Sequence, residues 1–329
     1  MSRMSDEAGI DVVCLSGLES SLCTHRLDAN LDEVERVVEF ARALYDSGKD
    51  RLLLLVAAGL RGAARILSEL ESLGYNPFLV EFTGVPEVML SGLSLDDVIR
   101  FHLGHLSLTM MERRRARRVY PAITRRELFR SAFIPTPRYM IPPSIGEEDA
   151  DECSRFCPYD AIGGKGVDEK RCRGCMLCVT RCRGAASKMP AWTGAASMAY
   201  IYSFAASKSL DGVLFICRNA LDYLDEKVVE ASPARLLSVH VPCISWLPPK
   251  LLSVLKSLGL YVHVYYDPRV CASCRSAKAA EIAAKELAES GVTVSSSLTE
   301  ASAYAFTGYG RARLSEDELA EVFIRAISS

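Results

Sequence analysis

The sequence predicts an α/β protein in which two open parallel-sheet domains flank a small cysteine-rich module. Three observations predict it. Strand-like and helix-like segments alternate over residues 11–82 and again over residues 195–295, the rhythm of parallel sheets covered by helices. The run Leu52-Leu53-Leu54-Leu55-Val56 lacks polar alternation, as in a strand buried on both faces. Between the two alternating regions, residues 149–188 hold six of the 12 cysteines.

In chain order, residues 11–15 read as a short strand, and 31–45 as a helix with Val34, Val37, Val38, Ala41 and Leu44 on one face. A strand over 51–57, a helix over 61–73 and a strand over 78–82 follow, the last two separated by Gly74 and the Asn76-Pro77 turn signal. Residues 95–118 are helical with a strongly basic end. Pro135, Pro137, Pro142 and Pro143 then mark a linker. Beyond the cysteine module come a helix over 195–207, strands at 212–217, 236–241 and 261–265, and helices over 221–230, 249–258 and 277–290. A strand at 292–295 and a helix at 316–327 close the pattern. The expected organisation is an α/β domain over 1–120, a linker over 121–148, the cysteine module over 149–190 and a second α/β domain over 191–329.

Composition narrows the function classes. A 49% hydrophobic and 24% charged chain is that of a soluble globular protein. The net charge of −2 gives no global attraction to nucleic acid or an anionic membrane. Residues 1–10 carry Arg3, Asp6 and Glu7 and no apolar core of a secretory signal. Arg125-Arg126 lies too deep in the chain for a twin-arginine address. The longest uncharged stretch, 189–207, is diluted by Thr193, Gly194, Ser197 and Ser203, so no membrane span is expected and a cytoplasmic setting is. In that compartment, 12 cysteines point to metal or redox chemistry before disulfides. The chain has no Gln, and Asn only at positions 30, 76 and 219. This depletion of thermolabile amides hints at a thermophile source, where intracellular disulfides are allowed.

The run Cys172-Arg173-Gly174-Cys175-Met176-Leu177-Cys178, continuing to Cys182, has the C-x2-C-x2-C-x3-C spacing of bacterial ferredoxins. Two-residue gaps let one tight loop wrap three thiolates around a cube face. The fourth cysteine of such a run points to another cluster, so the fourth ligand must come from a second arm. Cys153-Ser154-Arg155-Phe156-Cys157-Pro158 supplies it, because Cys157 stands in the C-P position. The segment of about forty residues thus resembles a ferredoxin-like module, and the resemblance implies a [4Fe–4S] cluster on Cys157, Cys172, Cys175 and Cys178. The first two cysteines of the second arm are missing, which leaves only Cys153 and Cys182 at the other ferredoxin site. They are expected to be neighbours, as a disulfide or as two reduced buried thiols. A structural zinc is the competing use of four thiolates, and zinc ribbons favour paired C-x2-C knuckles instead. Asp160 stands where a radical-SAM motif would need a cysteine after Cys157.

A second constellation lies in the C-terminal domain. Cys217 ends a predicted strand, Cys243 follows another, and Cys271 and Cys274 follow a third. Strand ends of an open parallel sheet line one edge, so four distant thiols are expected to converge. Cys217, the Val241-Pro242-Cys243 turn, the 249–258 helix and the Cys271/Cys274 pair together resemble the iron–sulfur delta subunit of viologen-reducing hydrogenases. That subunit couples hydrogenase to heterodisulfide reductase. The resemblance implies a [2Fe–2S] cluster on Cys217, Cys243, Cys271 and Cys274. Zinc, a redox dithiol at Cys271/Cys274, or buried thiols without a ligand are the other uses.

Weaker signals remain. Cys14 and Cys23 read as loop and core residues, with a ligand role or a loan of thiolates to the depleted ferredoxin site as the alternative. No dinucleotide or phosphate-loop motif appears in either α/β domain, so a flavin has no motif behind it. Arg113, Arg114, Arg115, Arg117, Arg118, Arg125, Arg126 and Arg130 form either a solvated helix end or a docking face for an acidic redox partner. Nucleic acid comes third, for want of interleaved aromatics. His102 and His105 read as packing or polar-face residues. Arg171, Arg173, Arg181 and Arg183 surround the motif and are expected to favour a reduced, more negative cluster. The sequence thus predicts an electron-relay subunit of a hydrogenase- or heterodisulfide-reductase-type complex. An iron–sulfur/flavin enzyme and a scaffold with a structural cluster are the alternatives.

Overall fold

A computed structural model of the chain describes residues 9–47, 52–119, 138–141, 143–164, 166–182, 185, 194–224, 229–230, 232–272, 274–299 and 314–328. The first domain runs β1 (Ile10–Leu15), β2 (His25–Leu27), α1 (Val34–Ser47), β3 (Leu52–Ala57), α2 (Ala63–Ser72), β4 (Val80–Gly84), α3 (Val85–Ser91) and α4 (Leu95–Arg114). Its four strands are all parallel, in the order β2-β1-β3-β4. Every residue of β3 is buried, as its unbroken apolar run requires. Helix α4 starts at Ser94, whose hydroxyl accepts from the Asp97 N–H. It carries Asp96 and Asp97 in its first turn and Arg113 and Arg114 in its last, matching the helix dipole at both ends.

The middle of the chain holds two antiparallel pairs and two short helices. Strands β5 (Arg117–Val119) and β6 (Arg138–Met140) pair with each other. Helix α5 (Glu147–Ser154) follows, then the hairpin β7 (Ile162–Gly163) and β8 (Gly166–Val167), then α6 (Leu177–Arg181). The second domain runs α7 (Ala195–Ser207), β9 (Gly212–Cys217), β10 (Leu236–Val241), α8 (Pro249–Ser257), β11 (Tyr261–Tyr265), α9 (Pro268–Cys271), α10 (Ala277–Glu289), β12 (Thr293–Ser295) and α11 (Glu316–Ser328). Its strands are again all parallel, in the order β10-β9-β11-β12. The two sheets therefore share one topology: the first strand lies between the second and third, with the fourth outside.

Four local differences from the sequence pattern have physical causes. The basic helix stops at Arg114, and Arg117–Val119 leaves it to pair with Arg138–Met140, so the expected linker over 121–148 contains a strand and the start of α5. The helix expected over 221–230 is preceded and overlapped by a 3-10 turn at Arg218–Tyr223, whose Arg218 guanidinium donates to the Pro77 carbonyl at 2.8 Å, and residues 229–230 are helical; residues 225–228 lie outside those described. Strand β2 is three residues long and mostly polar, too little pattern to announce itself. Helix α3 begins at Val85-Pro86, where proline marks a first helical turn and not a loop.

The parts share one apolar core that runs from β1 and β3 through the module to β9 and β11. Across the domain boundary the Phe101 and Tyr200 rings stack at 5.6 Å, Lys208 pairs with Asp97 at 2.8 Å, and Arg235 donates to the Ser91 carbonyl at 3.0 Å. Among the described residues, no helix is long and apolar enough to cross a membrane.

Candidate metal centres

The loop before α6 brings the first thiol set together. Gly174 and Met176 both hold left-handed backbone, at φ 64° and 60°, so the chain coils with its N–H groups turned inward. Glycine is required at 174 for a second reason: a Cβ there would lie 2.9 Å from the Met140 Cβ. The thiols of Cys157, Cys172, Cys175 and Cys178 line a single cavity, closed by Phe156, Tyr159, Ile162 and Val167. Cys172, Cys175 and Cys178 are buried and Cys157 is half-buried. Backbone N–H groups aim at the sulfurs, from Gly174 to Cys172 Sγ at 3.4 Å and from Ala161 to Cys157 Sγ at 3.3 Å. Burial, reinforced by the neighbouring thiols, pushes Cys178 up to about 12 and raises Cys175 as well. These thiols keep their protons at neutral pH unless a metal displaces them.

Cys153 on α5 and Cys182 just after α6 form a disulfide, both fully buried. Of the two expected states for this pair, the structure has the bonded one. Cys14 and Cys23 are also bonded to each other, which corrects their reading as loop and core thiols or as donors to the ferredoxin site. The correction has a simple cause. The chain returns to pair β2 with β1, and this brings residues nine apart to a Cα–Cα distance of 5.7 Å.

The second set converges as the strand ends predict. Cys217 closes β9, Cys243 follows β10, and Cys271 and Cys274 follow β11 through α9; all four line one cavity with Pro242, Tyr265 and Val270. The site lies where the strand order reverses, at β9 between β10 and β11, the usual ligand position in an open parallel sheet. Asp267 caps α9 by accepting from the Arg269 N–H at 2.9 Å, and Asn219 Nδ2 lies 3.6 Å from Cys274 Sγ. Burial raises Cys217 and Cys243 and pushes Cys271 up to about 12.

Ser245 ties the two sets. Its hydroxyl lies 2.6 Å from the Cys175 carbonyl and 3.1 Å from Cys243 Sγ, while Trp246 Nε1 donates to the Gly174 carbonyl at 3.2 Å. A serine hydroxyl has one proton, so it donates to the Cys175 carbonyl or to Cys243 Sγ, one at a time. On the flank, Arg181 is buried against Glu286 and the Thr180 hydroxyl, which makes it a link between α6 and α10.

Among the described residues, the one group of three or more potential ligands with all donor atoms within 4.8 Å is Glu81, His102 and His240. Neither thiol set is drawn in that tightly. A tetrahedral zinc with Zn–S near 2.3 Å would bring four sulfurs to about 3.8 Å apart. Iron–sulfur clusters, which interpose iron and sulfide, leave at most pairs of thiolates that close. The thiol donors of both sets, and the N–H groups aimed at Cys172 and Cys157, are of the kind iron–sulfur chemistry uses.

The Glu81 group belongs to a buried ionic network across the domain boundary. Arg113, fully buried, pairs with Glu81 and donates to the Phe78 carbonyl at 2.8 Å. Glu87 lies between His240 Nε2 at 2.9 Å and His102 Nε2 at 3.2 Å and also accepts from the Thr83 hydroxyl. Burial opposes a charge on His240, but Glu87 and Glu81 outweigh it and raise this histidine to about 9. The charges close among themselves, so the network pins β4, α3 and α4 to β10 without needing a cation. Arg113 is thereby removed from the proposed docking face. Arg114, Arg115, Arg117 and Arg118 remain exposed; Arg125, Arg126, Arg130 and Arg183 lie outside the described residues.

Sequence reasoning did not single out Ser245, Glu81, Glu87 or His240. For the last three, a charged or ionisable residue inside an apolar strand or beside one was the available signal.

Comparison with known proteins gives no match among family models, curated proteins or solved structures.

Proposed function

We propose that the chain is an electron-transfer protein with two iron–sulfur sites. A [4Fe–4S] cluster would be held by Cys157, Cys172, Cys175 and Cys178. A second cluster, [2Fe–2S] by the resemblance of the strand-end pattern, would be held by Cys217, Cys243, Cys271 and Cys274. The observation that carries this reading is the joining of two four-thiol cavities through one side chain, Ser245. When bound, such clusters supply one-electron redox chemistry. The chain's own residues exclude water from the sites, aim N–H groups at the sulfurs and hold the sites next to each other. The further step, to a relay subunit of a hydrogenase- or heterodisulfide-reductase-type complex, rests on the resemblance alone. The exposed arginines 114, 115, 117 and 118 offer an acidic redox partner a steering surface.

Anaerobic iron and sulfide analysis with EPR of the dithionite-reduced protein tests the reading, on wild type and Cys271→Ala. Six to eight irons are expected, with one signal lost in the variant. About four irons and a spectrum unchanged by Cys271→Ala would remove the second site. An iron-free protein would remove both.

A further inference from the structure

Directly after Cys243 the chain makes a short 3-10 turn, Ile244–Trp246, whose three residues are all buried. Two of them reach the loop and helix that carry the first thiol set. Trp246 Nε1 donates to the Gly174 carbonyl at 3.2 Å. The Ser245 carbonyl accepts from the Thr180 hydroxyl and from Arg181 Nη1, each at 3.4 Å. The turn is thus clasped by residues just before Cys175 and just after Cys178, and the position of Ser245 between the two sets is fixed by its neighbours.

One freedom remains, the direction of the hydroxyl proton. Ser245 is 0% exposed, so that proton must go to a protein acceptor. Two are in reach, the Cys175 carbonyl at 2.6 Å and Cys243 Sγ at 3.1 Å. They differ in kind. A carbonyl keeps the same dipole whatever the thiol sets hold, whereas a ligand sulfur becomes more negative when its site gains an electron. Hydrogen bonds strengthen with the charge on the acceptor, so the balance between the two acceptors depends on the electron count of the second site. A hydroxyl placed only to fasten the turn needs one acceptor, and the Cys175 carbonyl already supplies it; the sulfur of the other set serves no such purpose.

We propose that the Ser245 hydroxyl is a redox-sensitive switch that favours the electron-rich state of the second site. The hydroxyl donates to the Cys175 carbonyl while the second set is electron-poor and turns to Cys243 Sγ when that sulfur gains negative charge. Only the O–H bond rotates; no covalent bond forms or breaks, and the proton stays on the serine. A donor offered to the sulfur in its more negative state raises the potential of that site. At the first set the same hydroxyl reaches a carbonyl and not a sulfur, so its bias is toward the C-terminal domain. The switch presupposes the proposed two-site relay and gives it a direction, from the module to the second sheet.

An EPR-monitored redox titration of the full-length protein tests the switch, with the second-site signal recognised by its loss in Cys271→Ala. Ser245→Ala is expected to keep its iron and to shift the reduction equilibrium of the second site about tenfold toward the oxidised state, about 59 mV for a one-electron couple. The first-site midpoint should move less than about half as far. Ser245→Thr retains the hydroxyl and is expected to restore the wild-type midpoint. Thr180→Ala removes a neighbouring bond to the same residue and should leave it unchanged. An unmoved second-site midpoint in Ser245→Ala would overturn the switch. So would an equal shift at both sites, a Ser245→Thr midpoint matching that of Ser245→Ala, or a Thr180→Ala shift as large. Loss of iron from Ser245→Ala would make the residue a structural one and overturn it too. A wild-type protein without the second signal would remove the relay and the switch together; both signals with an unmoved midpoint would remove the switch alone.

Discussion

The two α/β domains have the same strand order and opposite uses of their cysteines. In the first, the sulfurs near the end of β1 are spent on each other, Cys14 with Cys23, and β3 and β4 end in Ala57 and Gly84. In the second, three successive strands lead into Cys217, Cys243 and the Cys271/Cys274 pair, all reduced. One topology therefore delivers a crosslinked scaffold in one half and a candidate ligand set in the other. The backbone fixes where strand ends meet, and the side chains placed there decide what the meeting does.

The sharpest way to break this comparison is to remove one sulfur from each part. Cys217→Ala is expected to abolish the proposed second cluster, with loss of about two irons and its visible absorbance. Cys14→Ala should leave iron content unchanged and lower stability by about 2–3 kcal/mol through the lost nine-residue crosslink, read from urea unfolding. Equal iron loss in both would erase the distinction.

The next effect tests what fastens the halves together. Arg113→Leu strands Glu81 without its buried partner and should cost about 3–5 kcal/mol, whereas Arg115→Leu on the exposed turn should stay within about 0.5 kcal/mol. Matching urea midpoints for the two would place Arg113 at the surface after all.

A smaller effect probes the sheets themselves. A Cβ at Gly84 would come within 1.8 Å of the Ala57 carbonyl oxygen, and one at Gly212 within 2.2 Å of the Tyr261 carbonyl oxygen. Gly84→Ala and Gly212→Ala should each destabilise by about 1–3 kcal/mol, as overpacking does. A neutral result in one alone would show that sheet to be the looser of the two.

The mildest expectation is a pH slope. His240 is raised in the folded state from 6.5 to about 9, mainly by Glu87 and Glu81 acting against burial, with His102, Arg113 and Arg218 packed nearby. Its contribution to stability is then fully present below about pH 6.5 and is lost as pH rises through about 9. Thermal midpoints measured across that window should fall more steeply in wild type than in His240→Gln. Parallel slopes would discard the charged histidine.

How much of this was legible in the sequence depended on range. The Cys172–Cys178 loop encodes its own geometry, because two-residue gaps leave the thiols few other places to go. The second set was legible because strand ends of a parallel sheet converge, although the cysteines are far apart in the chain. The Cys14–Cys23 bond was not, since it depends on β2, a three-residue strand with little pattern. Arg113 was misplaced by its company among arginines. Its spacing after His102, Leu106 and Thr109, three or four residues at a time, puts it on the inner face of α4. Ser245 carries no periodic signal at all; only its neighbours give it meaning.

The Cys153–Cys182 bond has a consequence for the thiols it encloses. Cys157, Cys172, Cys175 and Cys178 all lie between its two ends, a sequence separation of 29. The four donors therefore belong to a covalent macrocycle, and the crosslink removes about 3–4 kcal/mol of chain freedom from the open state. Chemically this is a macrocyclic set of donors. If the proposed cluster forms there and is then lost, the donors stay confined to one ring, ready to be refilled without the chain having to find its own ends again.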